Sequence, residues 1–378
     1  MNPETKIKPK ILLTNGSDIY SGGEYFVLEF GKKLKERGYD VTICCHPGIL
    51  LYEKAKAFGI NLFPIDFPVK GEIFKFTKII YDYIKKNKID IVHTNNNYDR
   101  TAAGFAAKFA GAGHITMNHS YHSISHNITH YIRNQYCTNY FLVDGFCTKE
   151  LLIKDDKIDA DKIKVIHLGI EPDSMKKDDA LRKKVRDEFN IPADTILFGN
   201  TGRLVEFKGQ EYLVKSFAQV AKQFDNVKLM IVGNGHLEQK LKDLTNDFGL
   251  NEKILFPGFR DDMQAVYSAF DVYLHSSVEG GGETFPFSVL YSLAQGIPAV
   301  VTDVGDVAKM IEQGETGFFV PDKNPEAMAE KIIYLLNNKN LIPEFGSNAL
   351  KLLHKKFTLD IMFDNIIDVY NKIPLKKN

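Results

Sequence analysis

A chain of 378 residues is long enough for two domains of ordinary size, and 44% hydrophobic with 25% charged residues is the make-up of a soluble globular protein. Lys plus Arg equals Asp plus Glu at 48 each, which excludes the strongly basic surface of a nucleic-acid-binding domain. The charge is unevenly divided: residues 1–170 carry 23 Lys and Arg against 18 Asp and Glu, a net +5 that the remainder balances, together with 8 of the 11 histidines.

The opening MNPETKIKPK is polar and has no apolar core of a signal peptide. No apolar run approaches the roughly 20 residues that span a bilayer. Cys44, Cys45, Cys137 and Cys147 form no Cys-x-x-Cys pair, so neither a zinc site nor dithiol chemistry is expected, and free thiols point to a reducing cytoplasm.

Taken along the chain, ILLTN, VTICC, DIVHTN, HITMN and YFLVD read as strands, apolar on both faces as parallel strands under helices must be. Segments such as 23–37 and 99–111 between them have apolar residues three and four apart. This is the βαβ rhythm of a doubly wound α/β sheet. After the first strand comes TNGSDIYSGGE, residues 14–24, with Gly22 and Gly23 at a helix entrance, where backbone N–H groups favour an anion; a plain turn is the competing reading.

Segment 70–88 holds six lysines (70, 75, 78, 85, 86, 88) against Glu72 and Asp82, with Ile73, Phe76, Ile80 and Tyr83 at helical spacing. It reads as a core-facing helix with a solvated lysine face, or as a peripheral contact to an anionic membrane. Further on, His119, His122, His126 and His130 are spaced for one helical face, but no carboxylate pattern accompanies them as a metal site would need. His119 closes the strand HITMN and His93 closes DIVH, which makes both candidates for substrate contact.

The rhythm restarts after a polar stretch, with a junction expected near Gly169–Ser174. TILFGN, VKLMIVG, KILFPGF, DVYLHSS and IPAVVT read as the second set of strands. TGRLVEFKG, residues 201–209, places Arg203 and Lys208 on one loop after a buried strand, two cations that suit a diphosphate. VGNGHLE, residues 232–238, begins like a dinucleotide fingerprint but has Glu238 where the third glycine belongs, which disfavours an NAD enzyme. SSVEGGGETFPFSVLYSLAQGIPAVVT, residues 276–302, is the densest motif: three glycines, then Glu283, then a helix from near Phe287 stopped by Gly296. Such a loop combines close backbone approach with helix N–H groups for a phosphate, and a carboxylate for hydroxyls. Two open α/β domains would place the ligand in the cleft at the carboxyl ends of both sheets.

Together SGGE (21–24), DIVHT (90–94), NHS (118–120), VIHLGIE (165–171), GRLVEFKG (202–209), IVGNGHLE (231–238), FPGFRDDM (256–263) and GGETFPFSVLYSLAQGIPAVVT (281–302) resemble the retaining GT-B glycosyltransferases of family 4, over residues 10–372. The resemblance implies a GT-B fold: an acceptor-side Rossmann-like domain 1–170, a nucleotide-sugar-binding domain 171–357, and a C-terminal helix 358–378 returning to the first. It implies transfer of a hexose-type sugar from a nucleotide-diphosphate donor to an acceptor hydroxyl, with retention and without metal or cofactor, in glycan, polysaccharide or glycolipid synthesis. The acceptor would be a glycan or lipid-linked glycan, and the place cytoplasmic, at or near the inner membrane face.

By the same resemblance, Gly22 and Gly23 face the donor phosphates, His119 the transferred sugar, Arg203 and Lys208 the diphosphate, Glu283 the sugar hydroxyls and Phe259 the base. Gly202, Thr284, Phe285, Pro286 and Phe287 complete the donor-binding positions. Two departures stand out. Tyr291 replaces the second glutamate of the family's Glu-x7-Glu signature, so a bidentate grip on the ribose is lost, and Pro286 replaces a glycine and removes an N–H. A nucleotide-sugar binder without catalysis, or a GT-B epimerase, are the rival expectations.

Overall fold

The computed structural model describes all residues except 1–7, 19–20, 68–71, 120 and 375–378. The chain divides into two units, Met1–His167 with Met362–Asn378, and Leu168–Ile361.

Unit 1 is built on a seven-stranded sheet: β1 (Ile11–Thr14), β2 (Val41–Cys45), β3 (Asn61–Pro64), β4 (Ile91–Thr94), β5 (Gly113–Asn118), β6 (Tyr140–Val143) and β7 (Ile163–Val165). All neighbours are parallel, in the order 3-2-1-4-5-6-7. The crossovers carry α1 (Gly22–Glu36), α2 (Leu50–Ala57), α3 (Ile73–Asn87), α4 (Asn97–Ala110), α5 (Ile128–Ile132) and α6 (Phe146–Lys154). Ile11, Leu12 and Leu13 are fully buried, because parallel strands covered by helices on both faces must be apolar at every position.

Unit 2 repeats the plan with six parallel strands, β8 (Ile196–Thr201), β9 (Val227–Val232), β10 (Ile254–Gly258), β11 (Val272–His275), β12 (Ala299–Thr302) and β13 (Gly317–Val320), ordered 10-9-8-11-12-13. Its helices are α7 (Asp179–Glu188), α8 (Gln210–Ala221), α9 (Glu238–Asp247), α10 (Met263–Ala269), α11 (Phe287–Ala294), α12 (Pro325–Asn337) and α13 (Leu341–Lys356). The last helix, α14 (Leu359–Tyr370), starts in unit 2 and ends in unit 1. In each sheet the strand order reverses once, between β1 and β4 and between β8 and β11. The loops beyond the carboxyl ends of those strands are where an open α/β sheet binds ligand.

Two edge strands, β3 and β13, lie outside the apolar runs read from the sequence. β3 is partly exposed along its four residues and ends in Pro64, as an edge strand can. The four histidines do not share a helix: residues 121–127 are irregular and α5 begins only at Ile128. In segment 70–88, Lys70 lies outside the described residues. α3 turns Phe76, Ile80 and Ile84 inward and leaves Lys75, Lys78, Lys85 and Lys86 exposed, which is the core-helix geometry. Ile73 and Tyr83 are only partly covered. Among the described residues no helix is long and apolar enough to cross a membrane.

Candidate active site

In unit 1, the loop after β1 is fixed by Glu24. Its carboxylate accepts from the Ser21 backbone N–H at 2.9 Å, from Ser21 Oγ at 2.7 Å and from Asn15 Nδ2 at 3.0 Å. This capping box pins the entrance of α1 and so the placement of Gly22 and Gly23. A Cβ on Gly23 would lie 3.5 Å from His119 Cδ2, so these two expected site residues are neighbours. His119 directly follows β5, its ring edge-on to Phe26 at 4.9 Å between centroids and its Nε2 buried without a partner. Burial, aided by Arg100 and opposed by Glu24, pushes the imidazole down to about 4, so His119 is neutral near pH 7 and offers a single N–H donor and one acceptor.

His93, by contrast, belongs to the core. It lies within β4, fully buried, with Nδ1 2.7 Å from the Tyr370 hydroxyl and Phe26 and Phe30 against its ring. Its expected role at the mouth of a site is therefore withdrawn: α14 covers it. His126 and His130 face each other, with the His126 backbone N–H donating to His130 Nδ1 at 3.2 Å. Among the described residues no three His, Cys, Asp or Glu side chains are placed to hold a metal ion.

In unit 2, the two strongest motifs form one structure. The loop 280–283 lies on the loop 203–209 so closely that a Cβ on Gly281 would fall 2.0 Å from Phe207 Cβ, and the Val278 N–H donates to Phe207 O at 2.8 Å. Gly209 adopts φ +64°, a conformation costly for other residues, and its Cα passes against the Ser276 carbonyl. The result sets Lys208 Nζ on Glu283 Oε2 as a buried ion pair. Ser277 Oγ donates to the same oxygen at 2.8 Å, and His275 Nε2 lies 3.6 Å from it. Burial pushes Glu283 up, but Lys208 and His275 outweigh it and hold the carboxyl well below its usual range. The exposed Arg203 and the half-buried Lys208 flank the Phe207 ring, each 5.4 Å from its centroid.

Other expected donor positions divide. Gly202 keeps an extended turn of φ +154° beneath Lys208. Phe259 is 72% exposed just past β10, a ring open to stacking. Thr284 and Phe285 are buried; the Phe285 ring packs on Phe357 and Thr284 O accepts from the Asp306 N–H, so this stretch offers main chain rather than those side chains. Pro286 is the residue before α11, and Phe287 and Tyr291 lie on its first turns. Tyr291 is half-buried, edge-on to Tyr267 at 5.7 Å and near Phe287 at 6.1 Å. The Gly-x-Gly of residues 233–235 serves backbone packing: Leu204 donates to Asn234 O, and a Cβ on Gly235 would fall 2.3 Å from Leu204 O. His275, Ser277 and Phe207 went unread in the sequence. The signal for the first two was a strand ending in His-Ser-Ser just before the glycine-rich loop.

Two family profiles match successive parts of the chain: Glycosyltransferase Family 4 over residues 20–174 and Glycosyl transferases group 1 over residues 182–352. A UDP-Gal:alpha-D-GlcNAc-diphosphoundecaprenol alpha-1,3-galactosyltransferase of Escherichia coli is 24% identical, the match covering 99% of each chain. An uncharacterised glycosyltransferase of Methanocaldococcus jannaschii is 30% identical over 56% of this chain, which spans about half (54%) of that relative's length. Among solved structures, a glycosyltransferase of Rickettsia africae superposes with a TM-score of 0.86 at 23% identity, covering 97% of this chain and 98% of that one. HepE of Anabaena, in complex with UDP, gives 0.85 at 19% identity, covering 96% and 100%. The GT-B fold expected from the sequence is the fold these structures share.

Proposed function

The chain belongs to the group 1, family 4 glycosyltransferases, and on that premise we propose that it moves a hexose-type sugar from a nucleoside-diphosphate donor to an acceptor hydroxyl with retention and without metal. The observation that carries this reading is the array Arg203–Phe207–Lys208–Glu283, two cations and a carboxylate locked on two touching loops at the switch point of one sheet. HepE structures hold UDP and UDP-glucose, which supports a uridine-diphosphate sugar as the first donor to test. The lipid-linked substrate in the name of the Escherichia coli relative supports a lipid-linked glycan as acceptor.

In this reading Arg203 and Lys208 take the diphosphate, and Glu283, half of its charge already engaged by Lys208, accepts from the sugar hydroxyls. His119, uncharged, hydrogen-bonds the transferred sugar, and Gly22 and Gly23 leave room beside it. The bond from the anomeric carbon to the phosphate oxygen breaks through an oxocarbenium-like state. The acceptor oxygen bonds to the same face of that carbon, and its proton passes to the leaving diphosphate. The protein's contribution is electrostatic: fixed cations meet the charge that develops on the diphosphate. Phe259 would stack on the base, and Tyr291 would stand by the ribose. Reaction at the cytoplasmic face of a membrane, with the lysines of 70–88 toward anionic lipid, completes the proposal.

The test is a thermal-shift panel of UDP, GDP, ADP and CMP sugars, followed by turnover with and without acceptor. Donor consumption that rises with acceptor is expected. Donor isomerisation without acceptor would make the chain an epimerase, and binding without any turnover would make it a receptor for the nucleotide sugar.

A further inference from the structure

One helix of unit 1 is built inside out. α5 runs directly into a π-helical turn, Arg133–Cys137. The buried residues of this ten-residue stretch are Arg133, Asn134 and Cys137. Arg133, 2% exposed, donates to Thr101 Oγ1 at 2.8 Å, to Ile124 O at 2.7 Å and to Asn134 Oδ1 at 2.8 Å. The residues left in solvent are Ile128 at 70%, Tyr131 at 45%, Ile132 at 41% and Tyr136 at 65% exposed. They recur three and four apart, one stripe along the outer face. A helix that serves only the fold of a soluble domain has the opposite polarity, apolar inward and polar outward. Here the guanidinium is inside with its hydrogen bonds satisfied, and the apolar stripe is outside.

The face continues sideways. α4 packs against the π-helical turn and against α3, so the three helices form one layer over the sheet. In this layer Phe109 of α4 is 69% exposed and Phe74 of α3 is 88% exposed. Lys85, Lys86 and Lys108 are exposed on the same helices, and among the described residues no carboxylate lies within 4.0 Å of them. Apolar rings whose hydroxyls can stay wet, set among unneutralised lysines, match the interface of a bilayer carrying negative headgroups.

We propose that the stripe Ile128–Tyr131–Ile132–Tyr136, flanked by the lysines of α3 and α4, is the surface on which this protein rests on an anionic lipid bilayer. The membrane contact is thereby centred on 128–137, with segment 70–88 supplying charge rather than insertion. The inference rests on the membrane location and lipid-linked acceptor of the transfer reading and names the surface that makes the contact; its experiment reads lipid binding with no donor present, so it can fail while sugar transfer stands.

The chain has no tryptophan, so a single one is an unambiguous reporter. In the full chain, Tyr136→Trp should shift its emission to the blue on addition of phosphatidylglycerol-containing vesicles. Brominated lipid should then quench it, and a Phe248→Trp reporter in unit 2 should do neither. Cosedimentation of the parent with these vesicles should exceed that with pure phosphatidylcholine. It should fall about tenfold with Tyr131→Ser plus Ile132→Ser, and about fivefold for each of Lys85→Glu and Lys86→Glu. An unchanged melting transition of unit 1 in the serine variant, measured separately by calorimetry, shows that it is folded; should it unfold, the tryptophan reporter stands alone. Unchanged emission at Tyr136→Trp, equal binding to both vesicle types, or loss of self-association in place of lipid binding would each overturn the proposal. The last outcome would assign the stripe to a second copy of the chain.

Discussion

The two units share a topology and handle charge in opposite ways. In unit 2 the switch-point loops gather two cations and a carboxylate and pair two of them before any ligand arrives. In unit 1 the switch-point loop after β1 holds two glycines and a glutamate spent on the capping box of α1, beside an imidazole after β5 kept neutral by burial. A doubly wound sheet thus fixes where a site lies but not its electrostatics, which come from the loop residues. In the proposed reading this division suits a reaction that must stabilise a leaving anion and position an uncharged sugar.

The largest effect that tests this contrast is the loss of a unit 2 cation. Arg203→Ala should lower turnover by roughly 10²-fold or more, with an unchanged melting temperature because Arg203 is exposed. Lys208→Ala should lower turnover as much and also destabilise unit 2 by about 3–5 kcal/mol, since it strands a buried carboxylate. Lys208→Ala with Glu283→Gln should recover stability but not activity. Near-parental turnover in both single variants would remove the diphosphate assignment.

Next in size is His119→Ala, expected to lower kcat by about 10²-fold with little change in nucleotide affinity, whereas His119→Asn should retain part of the rate. Since His119 is already neutral, kcat should show no acid limb from this residue between pH 5 and 8. A limb near 6.5 that vanishes in His119→Asn would mean that the ring is charged in use.

Acid should separate the units. Burial lowers His93 and His114 to about 3 and His119 and His130 to about 4 in unit 1, against an ordinary 6.5. Unfolded chains then bind more protons than folded ones between about pH 3 and 6.5, so this stability is complete above 6.5 and is lost as pH falls through that window. Asp99, raised to about 6 by burial, works the other way over part of it, one group against four. In unit 2, His275 is lowered by burial but Glu283 pulls against that. Calorimetry at pH 5 should show the transition of unit 1 moving down by more degrees than that of unit 2. A common shift would break the contrast.

Smaller still, Tyr291→Glu should change nucleotide affinity or preference by a few-fold, read by titration calorimetry. Identical dissociation constants across the nucleotide panel would leave Tyr291 as packing for Tyr267. If Arg203 and Lys208 take the diphosphate as proposed, activity should not respond to EDTA; loss on chelation with rescue by Mg²⁺ or Mn²⁺ would reverse that expectation.

What the sequence makes legible follows from period and burial. Central strands such as Ile11–Thr14 are apolar throughout because both faces are covered, and this alone marks a parallel sheet. β3 lacks that signature because at the sheet edge its four residues are only partly covered. The distinction between His93 and His119 was not legible. Both end or nearly end buried strands, and only the Tyr370 hydroxyl, 277 residues further on, decides that His93 is core. Lys208 and Glu283 were each marked by their motifs, but 75 residues separate them and no local pattern foretells their pairing. The outward stripe of 128–137 was hidden because a period of 3.6 says which residues share a face, not which face the protein buries.

α14 carries one more consequence, for the order in which the molecule can be made. Phe363 packs on Phe30, Tyr370 bonds His93, and Ile373 lies where a side chain on Gly113 would stand. The sheet of unit 1 therefore receives part of its cover from residues translated only after the whole of unit 2. Between His167 and Met362 the ribosome adds the 194 residues of Leu168–Ile361, about 10 to 40 seconds at ordinary elongation rates. During that interval the nascent N-terminal unit leaves Phe30 and His93 bare, a window in which a chaperone or an added α14 peptide would find a ready groove.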